Sequence, residues 1–329
     1  MMTVLMLAWL LHAGAIVAAA DAPADLLNTV VLKNEAARAA IRSYAYTIAI
    51  ENQRPDGPPS TSTGDVKRRG DDLYAVFHRT GMNRTAGVVE DRESRVVVNA
   101  HYAAFWPMKG NPLAYRTDHA SIAQMDQRTR GHVEGNSPPE ILPHCFGDAD
   151  RPFRESVHLN GGDVKYDAVE ARGDDGQLVY HLRRFMPTMD DPAKPDSVWI
   201  VNPRKGHLAT DRISYKQDGK PWIERHVDVS EIAPGVWFPI AYEEKHHGGR
   251  EAGSPDAVTL SQKVTLKNVV VNEVYPDAQF ELGALRLKED MPDVRVLIKP
   301  LDGRAVSHVF QGDQLVRESA ARKRAAAAP

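Results

Sequence analysis

One cysteine, Cys145, stands among 329 residues, so no disulfide can form within the chain and stability must come from the core. Charge of one sign is also missing. The count is 41 Lys and Arg against 44 Asp and Glu, and the basic residues are scattered, so there is no electrostatic footprint for nucleic acid. Beyond the N-terminus, no apolar run is long enough to cross a bilayer. A Gly-x-Ser-x-Gly elbow, a His-Glu-x-x-His pair, a phosphate loop and a Gly-x-Gly-x-x-Gly turn after a strand are all absent. The reading therefore assigns no catalytic residue, no metal ligand and no cofactor. No internal repeat is present. Hydrophobic content of 42% and charged content of 26% are those of an ordinary globular chain able to bury a core.

What is there begins with an apolar run from Val4 to Ala20, closing in Ala18-Ala19-Ala20 before Asp21. This fits a cleavable export signal over residues 1–20 with the cut after Ala20, although no Lys or Arg precedes the run. An uncut membrane anchor is the alternative. No cysteine lies at the cut, so the mature protein is expected to be periplasmic or secreted and not a lipoprotein.

From Ala24 to Ile41 the residues Leu27, Val30, Val31, Asn34, Ala37 and Ile41 fall on one helical stripe, which predicts a helix covering a sheet. Tyr44, Tyr46, Ile48 and Ile50 then alternate with smaller residues as in a strand. Residues 54–64, polar and rich in proline, read as a loop outside any ladder. Strands are predicted at Val66–Arg69, Leu73–Arg79, Ala86–Glu90, Arg95–Asn99, Ser156–Asn160, Asp163–Arg172, Gln177–Phe185, Ala257–Asn272 and Val294–Lys299. Residues 101–155 carry many prolines and read as an irregular excursion, with a short helix near Ser121–Arg128. Residues 311–329 read as a flexible tail. The expectation is one mainly β domain with covering helices (α+β) over 24–310: a curved antiparallel half-barrel of roughly ten to twelve strands with a long N-terminal helix.

The densest strand signal is Val198–Lys245. Asn202-Pro203-Arg204-Lys205-Gly206, Gln217-Asp218-Gly219 and Ala233-Pro234-Gly235 separate four β-branched or aromatic runs. A two-residue turn at Asp218-Gly219 would set Arg212 against Arg225. A three-residue loop sets Arg212 against Glu224 and Ile213 against Ile223, avoids like charges, and is preferred. One face then carries Ala209, Ile213, Tyr215, Ile223, Val227 and Val229, and the other Thr210, Arg212, Ser214, Glu224 and His226, with His226 opposite Thr210.

The run Trp199-Ile200-Val201-Asn202-Pro203, the Asp218-Gly219 hairpin, Gly235-Val236-Trp237-Phe238-Pro239, Phe280-Glu281-Leu282 and Val294-Arg295-Val296 together resemble the LolA/LolB-like lipoprotein carriers. The resemblance implies an incomplete barrel whose concave apolar face, closed by helices, holds acyl chains. It implies a non-enzymatic exported carrier of lipid, lipoprotein acyl chains or another apolar ligand. An envelope-stress sensor with a protein partner on the same scaffold is a rival. An exported hydrolase using His144 and the Asp148–Arg154 region is another.

Candidate cavity residues are Trp199, Ile213, Tyr215, Trp222, Ile223, Val227, Trp237, Phe238, Ile240 and Tyr242, for which core packing is the competing role. His246-His247 reads as a solvated loop end, and Cys145 beside His144 as a buried thiol.

Overall fold

The computed structural model describes residues 23–54, 57, 59–83, 88–107, 113–116, 127–148, 151–159, 164–248, 257–285, 295–299, 304–311, 314–320 and 322. The expected export signal lies outside them.

Helix α1 (Pro23–Ala39) leads into β1 (Ser43–Gln53), β2 (Ser60–Arg69), β3 (Asp72–Asn83), β4 (Val88–Val98), β5 (Tyr102–Pro107) and β6 (Leu113–Arg116). Then come α2 (Gln127–Asn136), a 3-10 turn at Leu142–Cys145, the short β7 (Gly147–Asp148) and β8 (Arg151–Pro152), and α3 (Phe153–Leu159). The meander continues through β9 (Lys165–Arg172), β10 (Leu178–Phe185), β11 (Ser197–Asn202), β12 (Leu208–Tyr215), β13 (Pro221–Ala233), β14 (Val236–His247) and β15 (Val258–Val271). Two 3-10 turns, Asp277–Phe280 and Leu282–Leu285, precede β16 (Arg295–Lys299), β17 (Val306–Gln311) and β18 (Gln314–Arg317).

Sixteen of these strands form one curved, unclosed sheet in the order β18-β17-β16-β6-β5-β4-β3-β2-β1-β15-β14-β13-β12-β11-β10-β9. Pairing is antiparallel except between β6 and β16. The chain closes the middle of the sheet by returning β15 to β1, a long-range pairing over Tyr44–Gln53. Alternation explains the inner face. Tyr44, Tyr46, Ile48 and Ile50 of β1 are buried on one side, against Val264 and Leu266 of β15. Fully burying such a side chain stabilises by about 1.5–3 kcal/mol.

The helical stripe of α1 is as expected. Leu27, Val30, Val31 and Asn34 are buried, and Ala37 and Ile41 pack partly on the main cluster. The buried Asn34 is satisfied, since its amide donates to the carbonyls of Cys145 (3.1 Å) and His207 (2.6 Å).

Sixteen strands exceed the ten to twelve expected. Residues 60–64, read as loop, belong to β2, because the prolines end at residue 59 and leave a ladder-competent Ser/Thr run. Two predicted strands, 86–90 and 95–99, are the single β4, whose polar middle is held by cross-strand contacts such as Thr80 to Asp91 (3.0 Å). The excursion supplies β5 and β6 to the sheet, with Ala103, Ala104 and Phe105 buried. The expected tail supplies β18.

Of Ser156–Asn160, read as a strand, Ser156 to Leu159 fall in α3, and residue 160 lies outside the described ones. Phe153, Ser156 and Val157, three and four apart, share the helical side that meets Trp199. Of the helix expected near Ser121–Arg128, residues 121–126 lie outside the described ones, and α2 runs on from Gln127 to Asn136.

The central hairpin corrects the register. The loop itself is the three-residue one: Gly219 N–H donates to the Lys216 carbonyl and Lys216 N–H to that of Lys220, with Gly219 at φ +81°. Tyr215 accordingly faces Pro221. A bulge at Trp222, next to the proline that cannot donate to the ladder, then shifts every upstream pair by one. Arg212 therefore faces Arg225, Ile213 faces Glu224, and His226 faces Asp211 rather than Thr210. The like charges are tolerated because each guanidinium has another neighbour. Arg225 binds Glu244, and Arg212 lies 4.7 Å from the ring centre of Trp199.

Candidate functional site: the inner face of the central strands

Register defines lines of side chains running across the inner face. One line passes from Ala168 through Leu182, Trp199, Arg212, Arg225, Glu244 and Gln262 to Asn52 and Ser60. It is apolar as far as Trp199 and polar beyond. A deeper line, two residues further along the strands, runs Val227, Tyr242, Val264, Ile50. A shallower one runs Arg184, Ser197, Ser214, Ile223, His246, Leu260.

The deeper part is filled by the chain itself. Val133 of α2, with Ile141, Leu142, Cys145 and Phe146, joins the cluster formed by Ile48, Ile50, Val66, Ala75, Phe105, Val227, Phe238, Tyr242 and Val264. Polar ties fasten this segment. The Arg68 guanidinium donates to both Glu140 oxygens (2.5 and 2.6 Å), the Tyr44 hydroxyl to Glu140 (2.7 Å), and the Ser94 hydroxyl to the Asn136 carbonyl (2.7 Å). His144 stacks on the Tyr242 ring at 5.5 Å. Towards β9 the same face is covered by α1 and α3, with Phe153 edge-on to Trp199 at 5.4 Å.

The ten predicted cavity residues do not lie together. Val227, Phe238 and Tyr242 are buried in the main cluster. Trp199, 1% exposed, belongs to the cluster under α1. Ile223 sits on the shallower line of the inner face, whereas Ile213 and Tyr215 point to the outer face by register. Trp222 is the bulge residue and is half exposed. Ile240 occupies a bulge in β14. Trp237 closes over Gly206, where a Cβ would come within 2.8 Å of its ring.

Sequence reasoning missed the polar line. The bulge at Trp222 turns Arg212 and Arg225 to the same side, and Pro221 was the only hint of it.

On that line Glu244 accepts from Arg225, the Tyr242 hydroxyl and His246. Burial works against its ionisation, but the Arg225 charge and these hydrogen bonds outweigh it and hold the carboxyl down at about 2. Arg184 grips Asp196 (2.5 Å) and lies 5.7 Å from the other partner of Arg212, the Trp199 ring.

Elsewhere the chemistry is muted. Cys145 is fully buried, and burial pushes its thiol up to about 12. His226 bridges Asp211 (2.6 Å) and Asp228 (3.2 Å) on the outer face; the hydrogen bond to Asp211 raises it to about 9 against the opposing effect of burial. Among the described residues no group of three or more His, Cys, Asp or Glu could hold a metal ion. No helix of the described residues is long and apolar enough to cross a membrane. A groove of about 400 Å³ lies on β2–β4, lined by polar residues including Thr63, His78, Asp91 and Glu93, and includes none of the ten.

No family model matches the chain, and no curated protein matches it. Solved structures similar to it include a DUF1329 family protein from Desulfovibrio piger, at 15% identity and a TM-score of 0.41, covering 80% of this chain and 99% of that one. A LolA superfamily protein from Nitrosomonas europaea is similar at 12% identity and a TM-score of 0.41, covering 78% and 97%. A putative outer membrane lipoprotein-sorting protein domain from Vibrio parahaemolyticus is similar at 9% identity and a TM-score of 0.42, covering 79% and 99%.

Proposed function

We propose that the protein is an exported, non-enzymatic binding protein that receives an apolar ligand, a lipid or acyl chain, on the inner face of its sheet. The observation that carries this reading is the cover of that face. An open sheet of this size has to shield its apolar side, and among the described residues the deeper line is shielded chiefly by one short segment, with Ala37 and Ile41 beside it, rather than by a second sheet. That segment contributes Val133, Ile141, Leu142, Cys145 and Phe146, and its ties include those of Glu140 and Asn136 at the margin. An acyl chain offers the same apolar surface and takes the segment's place over Val227, Tyr242, Val264 and Ile50. The buried Cys145 thiol reports on the exchange.

The experiment is titration of the purified protein with N-phenyl-1-naphthylamine, an uncharged apolar fluorophore, together with the rate of Cys145 labelling by a thiol reagent. Saturable fluorescence enhancement with faster labelling is expected. Saturable binding that leaves Cys145 as protected as before would place the ligand elsewhere, and no saturable binding would overturn the reading.

A further inference from the structure

The segment that covers the deeper line carries a carboxylate onto an otherwise apolar row. Pro138 is buried over Gly64, where an added Cβ would come within 3.1 Å of its ring. Two residues on, Glu140 reaches Arg68. The segment thus follows β2 from Gly64 to Arg68, with Ile141 and Leu142 joining the main cluster. It offers the sheet an apolar body and one carboxylate.

What receives that carboxylate belongs to the sheet. Register places Tyr44, Tyr46 and Arg68 on the inner face, in the row that Val66, Ile48 and Ile50 continue. Arg68 Nη1 donates to both Glu140 oxygens and the Tyr44 hydroxyl to one of them, while Arg68 Nε is held by the Gly70 carbonyl at 3.0 Å. A carboxylate has about four acceptor positions, and Glu140 uses three. A further donor stands beside them. The Tyr46 hydroxyl is buried, has no hydrogen-bond partner among the described residues, and lies close enough for the charges of Glu140 and Arg68 to act on it. Buried hydroxyls are normally paired. Burial raises both phenols well above the ordinary tyrosine value, so both keep their protons and serve as donors.

We propose that Arg68, Tyr44 and Tyr46 form a site for the carboxylate of an amphiphilic ligand, and that Glu140 is its internal occupant, displaced when the segment yields. The proposal rests on the apolar-ligand reading above and gives the ligand its chemistry: a single-chain carboxylate. Its tail follows the same row over Val66 and Ile48 to Ile50, where the deeper line ends; from Arg68 to Gly64 alone the strand spans roughly 13 Å. An uncharged ligand that lifts Glu140 leaves the Arg68 guanidinium, 18% exposed, without a carboxylate. A ligand carboxylate restores the pair and gives the Tyr46 hydroxyl an acceptor.

Binding of decanoate, of its uncharged methyl ester and of acetate is measured by calorimetry at about pH 8, where the acid is ionised, with the rate of Cys145 labelling reporting on the segment. Decanoate is expected to bind about tenfold tighter than the ester, the discrimination of a charge-assisted hydrogen bond, and to speed labelling. Arg68→Met is expected to abolish the preference while the ester still binds. Glu140→Gln loosens the segment for both ligands but removes a competing charge for the acid alone, so the preference should widen about tenfold. Tyr46→Phe removes only the unpartnered hydroxyl. The urea midpoint should hold or rise while the preference falls about fivefold, a pairing that a purely structural hydroxyl would not produce.

Equal binding of acid and ester in the unaltered protein overturns the site and leaves the apolar-ligand reading standing. So does a preference that survives Arg68→Met or, should that variant melt early, one that neither Glu140→Gln nor Tyr46→Phe moves. Tight decanoate binding with labelling unchanged overturns the displacement of Glu140. Acetate bound as tightly as decanoate makes this a site for free anions and overturns the amphiphile. Binding of neither amphiphile sinks both readings.

Discussion

Two stretches of the inner face are covered in different ways. Over β9–β12 the cover is α1 and α3, apolar against apolar: Leu27, Val30, Val31 and Phe153 on Leu182, Trp199 and Val201. Over β1–β5 and β13–β15 it is the segment from α2 to Phe146, which brings a comparable apolar set fastened by Glu140 to Arg68 and Tyr44. A helix buried along its stripe from Leu27 to Asn34 is the firmer part of the cover. A short segment of two brief helical pieces, held partly by an ion pair, is the part of the cover that local opening would release first. The contrast separates what the sheet needs in order to fold from what could yield to a ligand.

The largest effect should come from the firmer part. Phe153→Ala or Trp199→Ala removes an aromatic from the α1 cluster and should lower the free energy of unfolding by about 3–5 kcal/mol in urea. A loss under about 1 kcal/mol would mean that this end of the sheet is not a packed core. Next comes the fastening of the other cover. Glu140→Gln leaves Arg68 without its carboxylate partner, and the side chains are only 18% and 17% exposed. A cost of about 1–3 kcal/mol is expected. Its specific signature is faster Cys145 labelling and amide exchange in 133–146, with little change in the exchange of α1. Equal acceleration in both covers would erase the distinction drawn between them.

Gly206→Ala tests the junction between the two regions. Its φ of +66° and the approach to Trp237 penalise any side chain. A loss of about 1–2 kcal/mol in thermal or urea unfolding is predicted, and an unchanged midpoint would refute the contact.

The smallest effect belongs to the outer face. The folded protein holds His226 at about 9, above the ordinary value of 6.5, through Asp211 and Asp228. A raised folded value means that its contribution is complete below the unfolded value of about 6.5 and is lost as pH rises through about 9. The side chain is 53% exposed, so solvent weakens the pair and the slope should be shallow. His226→Gln should flatten the urea midpoint between pH 6 and pH 10; an unaltered slope would assign the dependence to other groups.

The sequence by itself determined the β-rich character of the chain, the stripe of α1 from Leu27 to Ala37, the central strands and the three-residue loop at Gln217-Asp218-Gly219. Each is a local property, written in periodicity or in turn residues that few neighbours can override. It did not determine that residues 101–155 feed β5 and β6 into the sheet, since prolines between short runs look the same in a loop and at a strand end.

Nor could it assign the inner face. A single bulge beside Pro221 exchanges the two sides of β12 relative to β13, so Ile213, named for the cavity, points outward while Arg212 and Arg225 point in. Only the tertiary structure decided that, because the side on which a strand residue lies depends on the parity of a register counted through its neighbours, and one inserted residue reverses it.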